Sequence, residues 1–179
     1  MTNYRRNFAS GGTYFFTVNL ADRSKALLTD NIESLRDAFR HVAERHPFVI
    51  DAIVVLPDHL HAIWTLPQRD CDYSMRWRLI KMTFTRTIQP GELVSPSRAS
   101  KGERGIWQRR YWEHTIADAL DFERHVSYIH FNPVKHGYVA RVGDWRHSSF
   151  HQFVKGGMLP DNWASDPADE ILDFGERVR

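Results

Sequence analysis

Residues 47–67, PFVIDAIVVLPDHLHAIWTLP, constrain the fold more than any other stretch. Two runs rich in β-branched and apolar residues, 47–57 and 59–66, flank a Pro-Asp turn at 57–58. Strands joined this tightly pair antiparallel, because a parallel pair needs a long crossover. Ahead of them TYFFTVNLA (13–21) follows a Gly-Gly pair and reads as a strand. NIESLRDAFRHVAERH (31–46) carries apolar residues at 32, 35, 38, 39 and 42, which is helical spacing, with Asp30 as its N-cap. Beyond them YSMRWRLIKMTFTRTI (73–88) reads as a second helix, apolar at 75, 79, 80, 82 and 84. A polar loop (89–105) leads to IWQRRYWEHTI (106–116), a strand or a bulged strand. ADALDFERHVSYIHFN (117–132) is a helix that Pro133 and Gly137 help to end, and a short helix follows around 148–154. The order β-α-β-β-α-β-α predicts an α+β, ferredoxin-like fold around a central antiparallel sheet. Residues 1–155 make one domain and 156–179 an acidic C-terminal tail.

The chain has 179 residues, 42% of them hydrophobic, which suits one domain with a real core and excludes a disordered chain. Its longest apolar run, AIVVL (52–56), is too short to span a membrane. The N-terminal MTNYRRNFASGG has no apolar signal region. The single cysteine, Cys71, excludes an internal disulfide and a cysteine-rich metal site. These features fit a cytoplasmic protein with no membrane partner and no small-molecule cofactor. The net charge of +2 conceals an asymmetry. Residues 69–110 hold ten Lys or Arg against four acids, while 161–176 hold six acids and no Lys or Arg. A basic middle suits a polyanion, and an acidic tail suits a segment that mimics one; a plain solvated surface gives the same totals.

His59 and His61 sit one residue apart on a strand, so both imidazoles leave the same face, roughly 6.6 Å apart along it, and Leu60 leaves the other. Two such nitrogens converge on one cation and leave room for a third ligand and a substrate, though a sheet-face histidine pair needs no metal. On the 117–132 helix, Phe122, Val126 and Ile129 form an apolar stripe. Tyr128 and Asn132 lie on its flank, i and i+4, about 40° apart. Position alone leaves Tyr128 either a boundary aromatic or a reactive hydroxyl beside a bound cation. Two imidazoles, an amide oxygen and a tyrosine hydroxyl suit phosphodiester cleavage: a divalent ion polarises the phosphate and the hydroxyl attacks phosphorus. The mixed nitrogen and oxygen set permits Mg2+ or Mn2+.

LPDHLHAIWTLP (56–67), WQRRYWEHTI (107–116) and HVSYIHFNPVKHGYV (125–139), in this order and spacing, resemble the REP-associated tyrosine transposases. These form part of the single-tyrosine branch of the HUH nucleases. The likeness runs from YRRNFASGGTYFFTVNL (4–20) to DWRHSSFH (144–151). It implies a Mg2+- or Mn2+-dependent endonuclease and strand transferase acting on single-stranded DNA, leaving a 5′-phosphotyrosine and a free 3′-hydroxyl. By resemblance His59 and His61 are the metal-binding pair, Asn132 stands at the third ligand position and Tyr128 is the nucleophile. The implied partner is a repetitive extragenic palindrome (REP), a DNA hairpin with a tetranucleotide at its foot. The branch also implies a monomer acting in cis, associated with the nucleoid. The competing function is a hairpin-binding regulator in which Tyr128 is idle.

Candidate DNA contacts are Tyr4, Arg5 and Arg6 on an N-terminal arm, Arg76, Arg78 and Lys81 on the second helix, and Arg109 and Arg110 beside Tyr111 and Trp112. Lys135 and His136 follow the tyrosine helix. Cations interleaved with aromatics suit unpaired strands, since every base presents a stacking face. The same aromatics also suit a core, which is the expectation for at least one of Trp107 and Trp112.

Overall fold

The structure, a computed structural model, describes residues 7–92 and 94–164. Tyr4, Arg5, Arg6 and the tail from 165 lie outside the described residues. Four strands form one sheet in the order β2-β3-β1-β4, every neighbouring pair antiparallel. They are β1 (Thr13–Asn19), β2 (Val49–Val55), β3 (His59–Thr65) and β4 (Trp112–Thr115). The long helices are α2 (Ile32–Arg45), α3 (Tyr73–Thr87) and α5 (Ala119–Lys135). Short helical segments α1 (Leu27–Asp30), α4 (Pro96–Ala99) and α6 (Phe150–Lys155), with a 3-10 turn at Val142–Asp144, complete the element order. This is the expected ferredoxin-like arrangement, with β1 and β3 central and β2 and β4 at the edges.

Both faces of the sheet are covered, so β1 and β3 are buried along nearly their whole length. Tyr14, Phe16, Leu60, Ala62 and Trp64 point to one face and pack with α2 and α3 through Phe39, Tyr73, Trp77, Ile80 and Phe84. Trp64 stacks on Trp77 with ring centroids 4.2 Å apart. Phe15, Ile63, Ala52 and Val54 point to the other face, under Val126, Tyr128 and Ile129 of α5. Burial of each large apolar side chain contributes about 1.5–3 kcal/mol. The alternation along β3 therefore sends Leu60 into one core and turns its two histidine neighbours toward α5. Among the described residues no helix is long and apolar enough to cross a membrane.

Several local expectations change. The N-cap of α2 is Asn31, not Asp30, and its side chain makes no capping bond. On α3 the buried stripe is Tyr73, Arg76, Trp77, Ile80 and Phe84, whereas Met82 is exposed. The β4 strand is only four residues long. The preceding 106–111 touch the sheet through an isolated bridge from Trp107 to Leu20, and Trp107 is core. Pro133 does not end α5, which runs on to Lys135. The stop is Gly137, whose φ of +70° a residue with a Cβ rarely adopts. Its N–H reaches Val134 O at 2.9 Å and that of Tyr138 reaches Pro133 O at 2.9 Å, which is a Schellman cap. The first residues of the expected tail, 156–164, are packed on the domain: Trp163 meets Phe150 and His130, with centroids 6.1 and 6.2 Å apart.

Candidate active site

On the α5 face of the sheet, His59 and His61 are fully buried with ring centroids 5.1 Å apart. Each Nδ1 is held by a neighbour. Thr17 lies opposite His61 in the β1–β3 register and its hydroxyl is 2.9 Å from His61 Nδ1. Asp58, in the turn before β3, places Oδ1 2.7 Å from His59 Nδ1. A carboxylate accepts only, so His59 carries its proton on Nδ1 and turns the lone pair of Nε2 toward the site.

Asp58 is itself gripped by Arg23, whose Nε lies 2.5 Å from Oδ2. Burial alone would raise the Asp58 pKa, but hydrogen bonds from His59 and Arg23 and attraction to both outweigh it and lower it to about 2. The carboxylate is therefore ionised at neutral pH. The Arg23 Nη2 contact with His59 Nδ1, 3.2 Å, follows from both groups holding one carboxylate. About half of the Arg23 side chain is exposed, which leaves cationic surface beside the histidine pair.

From α5, the Tyr128 ring meets His61 edge-on with centroids 5.2 Å apart. Two turns later His136 meets His59 at 5.1 Å. Tyr128, Asn132 and His136 are i, i+4 and i+8, so they form one strip running antiparallel to β3. The strip touches the histidine pair at both ends, which puts the Asn132 carboxamide in the span between. Asn132 is fully buried, and neither its oxygen nor its nitrogen has a hydrogen-bond partner. An orphaned buried amide costs about 1–3 kcal/mol. Lys135 Nζ lies 4.9 Å from the centre of the Tyr128 ring, and Phe15 supports that ring from β1, centroids 6.0 Å apart.

The remaining expected DNA contacts divide between two faces. Lys135 and His136 are at the tyrosine site. Arg78, Lys81 and Arg109 line a groove of about 750 Å3 with Arg98, Trp107 and Tyr111 on the α3 side. Lys81 Nζ sits 5.6 and 5.2 Å from the Trp107 and Tyr111 ring centres. Arg110 is exposed.

Arg76 is a correction. It is 1% exposed, donates to the carbonyls of His46, Pro47 and Asp72 and pairs with Asp70 at 2.6 Å. Its guanidinium ties the start of α3 to the 46–47 turn and faces no solvent. Glu113, paired with Phe16 across β1 and β4, points to the opposite face and accepts from the Tyr73 hydroxyl at 3.2 Å. Thr17, Arg23 and Asp58 were not singled out from the sequence. The one signal in the sequence is an acid immediately before the histidine pair, where the Pro-Asp turn already accounts for it.

Similarity to known proteins fits this arrangement. Residues 9–132, a span that includes both histidines, Tyr128 and Asn132, match the family described as transposase, IS200-like. The REP-associated tyrosine transposase of Escherichia coli (strain K12) is 47% identical over 178 residues, covering 99% of each chain. A solved structure described as a REP-associated tyrosine transposase bound to a REP hairpin aligns with a TM-score of 0.84 at 45% identity. That alignment covers 100% of this chain and 99% of the other. The chain belongs to the IS200-like transposase family, in the branch of the REP-associated tyrosine transposases.

Proposed function

We propose that this protein is a divalent-metal-dependent single-stranded DNA endonuclease and strand transferase that binds REP-type hairpins, with Tyr128 as nucleophile. The observation that carries this reading is the strip Tyr128–Asn132–His136 lying across His61 and His59, with the Asn132 amide buried and unpartnered between its ends. Hairpin binding is supported by the solved relative, whose description names a REP hairpin as its ligand.

The residues fit a divalent ion: His59 and His61 through Nε2, and Asn132 through Oδ1, are three neutral donors that leave the cation its full charge. Mg2+ or Mn2+ bound there supplies charge stabilisation at the scissile phosphate. The Tyr128 oxygen attacks phosphorus; the new P–O bond joins DNA 5′-phosphate to tyrosine, the P–O3′ bond breaks, and the 3′ oxygen leaves as a free hydroxyl. The tyrosine proton is lost as the bond forms and the leaving oxygen gains one, so protons balance through solvent. Lys135 and the exposed half of Arg23 supply positive charge where the phosphate must lie. Asp58 and Thr17 hold the imidazoles in orientation. The phosphoester is conserved, so the reverse attack by a 3′-hydroxyl rejoins strands. Residues 1–155 form the catalytic unit, acting as a monomer in cis.

The test is a hairpin oligonucleotide with a single-stranded foot, incubated with Mn2+ or Mg2+ and run on a denaturing gel. Wild type should give a covalent adduct that Tyr128→Phe loses while still binding the hairpin. His61→Ala should abolish cleavage and keep most binding. Hairpin binding without any adduct from wild type would leave a regulator instead of an enzyme.

A further inference from the structure

On the far side of Phe15 from His61 lies a second cluster. The Phe15 ring contacts His61 at 5.6 Å and His125 at 4.7 Å, centroid to centroid, so it separates the two groups. Asp121 and His125 are i and i+4 on the first turns of α5, and His114 reaches them from β4. His114 Nε2 is 2.8 Å from Asp121 Oδ2, and His125 Nδ1 is 3.0 Å from Asp121 Oδ1. The two imidazoles stack 4.8 Å apart at 17°. One ligand atom from each of the three residues lies within 4.8 Å of the other two.

We propose that His114, Asp121 and His125 form a second metal site, selective for a borderline transition cation of the Zn2+ class, which clamps the tyrosine helix to the edge strand. Two imidazoles and a carboxylate are the donor set Zn2+ takes, whereas Mg2+ prefers oxygen throughout. Ligands at 2.0–2.2 Å from a tetrahedral ion lie about 3.3 Å apart. The two contacts to Asp121 need to open by only a few tenths of an ångström, and the two imidazole nitrogens, within 4.8 Å of each other, close onto the ion. The site is half open: His114 is 37% and Asp121 20% exposed, so water completes the coordination, while His125 anchors it from within.

The ionisation states suit a cation. Burial would raise the Asp121 pKa, but the Ala117 N–H, His114 and His125 outweigh it and keep the carboxylate ionised. Burial, the largest influence on His125, lowers its pKa and keeps the ring neutral. Without metal, Nδ1 of His125 donates to Asp121 O at 2.8 Å. On binding, the neutral His125 ring shifts its proton from Nδ1 to the nitrogen that does not ligate, and no electron changes hands.

The consequence is mechanical. Away from this end, α5 packs on β2 and β3. The cluster adds a link to the four-residue β4 three residues before Tyr128, and a bound cation would stiffen it.

The test uses untagged full-length protein and Zn2+ alone, read by calorimetric stoichiometry and thermal melting. In a His59→Ala/His61→Ala background, one Zn2+ should bind per chain and raise Tm by about 5–10 °C at a hundredfold excess over Kd. Adding His114→Ala should remove both effects. If that background fails to fold, the single His114→Ala change in wild type should lower the stoichiometry by one. Zinc binding that is absent, or indifferent to His114→Ala, overturns the proposal and leaves a hydrogen-bonded triad. Neither result depends on the covalent-adduct assay, so the nuclease reading stands or falls separately.

Discussion

Asp58 Oδ1 accepts a 2.7 Å hydrogen bond from Nδ1 of His59, the next residue in the chain. The turn that makes β2 and β3 antiparallel thus also orients the first histidine of β3. With Thr17 doing the same for His61 from β1, two sheet neighbours fix both rings before anything binds. Such outer contacts set the tautomer and the direction of a ligating imidazole.

Asp58→Asn should therefore weaken Mn2+ binding by about 10–100-fold, measured by calorimetry. The amide still accepts from Nδ1, so the change isolates the lost charge. Hairpin affinity measured without metal should stay the same. Unchanged Mn2+ affinity would remove Asp58 from the site's support.

Arg76 and Arg78 lie two residues apart on α3 and should behave oppositely. Arg76→Ala strips donors from three carbonyls and the partner from Asp70, and should destabilise the fold by about 3 kcal/mol or more in urea titration. Arg78 is exposed, and its replacement by Ala should change stability by less than about 0.5 kcal/mol.

That pair shows where the sequence was legible and where it was not. Alternation along β3 and the i, i+4 spacing of Tyr128 and Asn132 are local periodicities, and the site they imply depends only on which sheet face α5 covers. The burial of Arg76 is not local. Two of its acceptors, the carbonyls of His46 and Pro47, come from the end of α2, and no spacing rule within α3 announces them. The α3 stripe is also misphased in sequence, because counting Met75, Leu79 and Met82 with Ile80 and Phe84 passes over Tyr73, Arg76 and Trp77, which are the buried positions. The continuation of α5 through Pro133 escaped for another reason: a proline near a C-terminus forgoes one hydrogen bond, and Gly137 with its Schellman cap sets the end. Asp58 reads only as a turn residue, since its second role depends on the direction of the His59 ring, which the fold sets.

Arg78 carries a further expectation. It lines the groove with Lys81, Trp107 and Tyr111 on the face opposite Tyr128. If DNA follows that groove, Arg78→Ala should weaken hairpin binding similarly for all sequences and reduce the slope of log K against log salt by about 1. An unchanged slope would place the DNA elsewhere on the surface.

His130 predicts how the fold responds to acid. It is fully buried against Phe150, Phe153 and Trp163, with Nε2 3.1 Å from the Ser149 hydroxyl. Burial is the main cause, with a smaller contribution from His151, of a pKa lowered to about 4, against about 6.5 in an unfolded chain. Between those values the unfolded chain binds more protons than the native protein, so stability is full above about pH 6.5 and falls as the pH drops toward 4. The loss assigned to this one residue is about 3 kcal/mol. His130→Phe removes the titrating group while keeping an aromatic in the same packing. Urea midpoints at pH 7 and pH 4 should show wild type losing about 3 kcal/mol more than the variant. Equal losses would mean that His130 charges without unfolding the contact between α5 and α6.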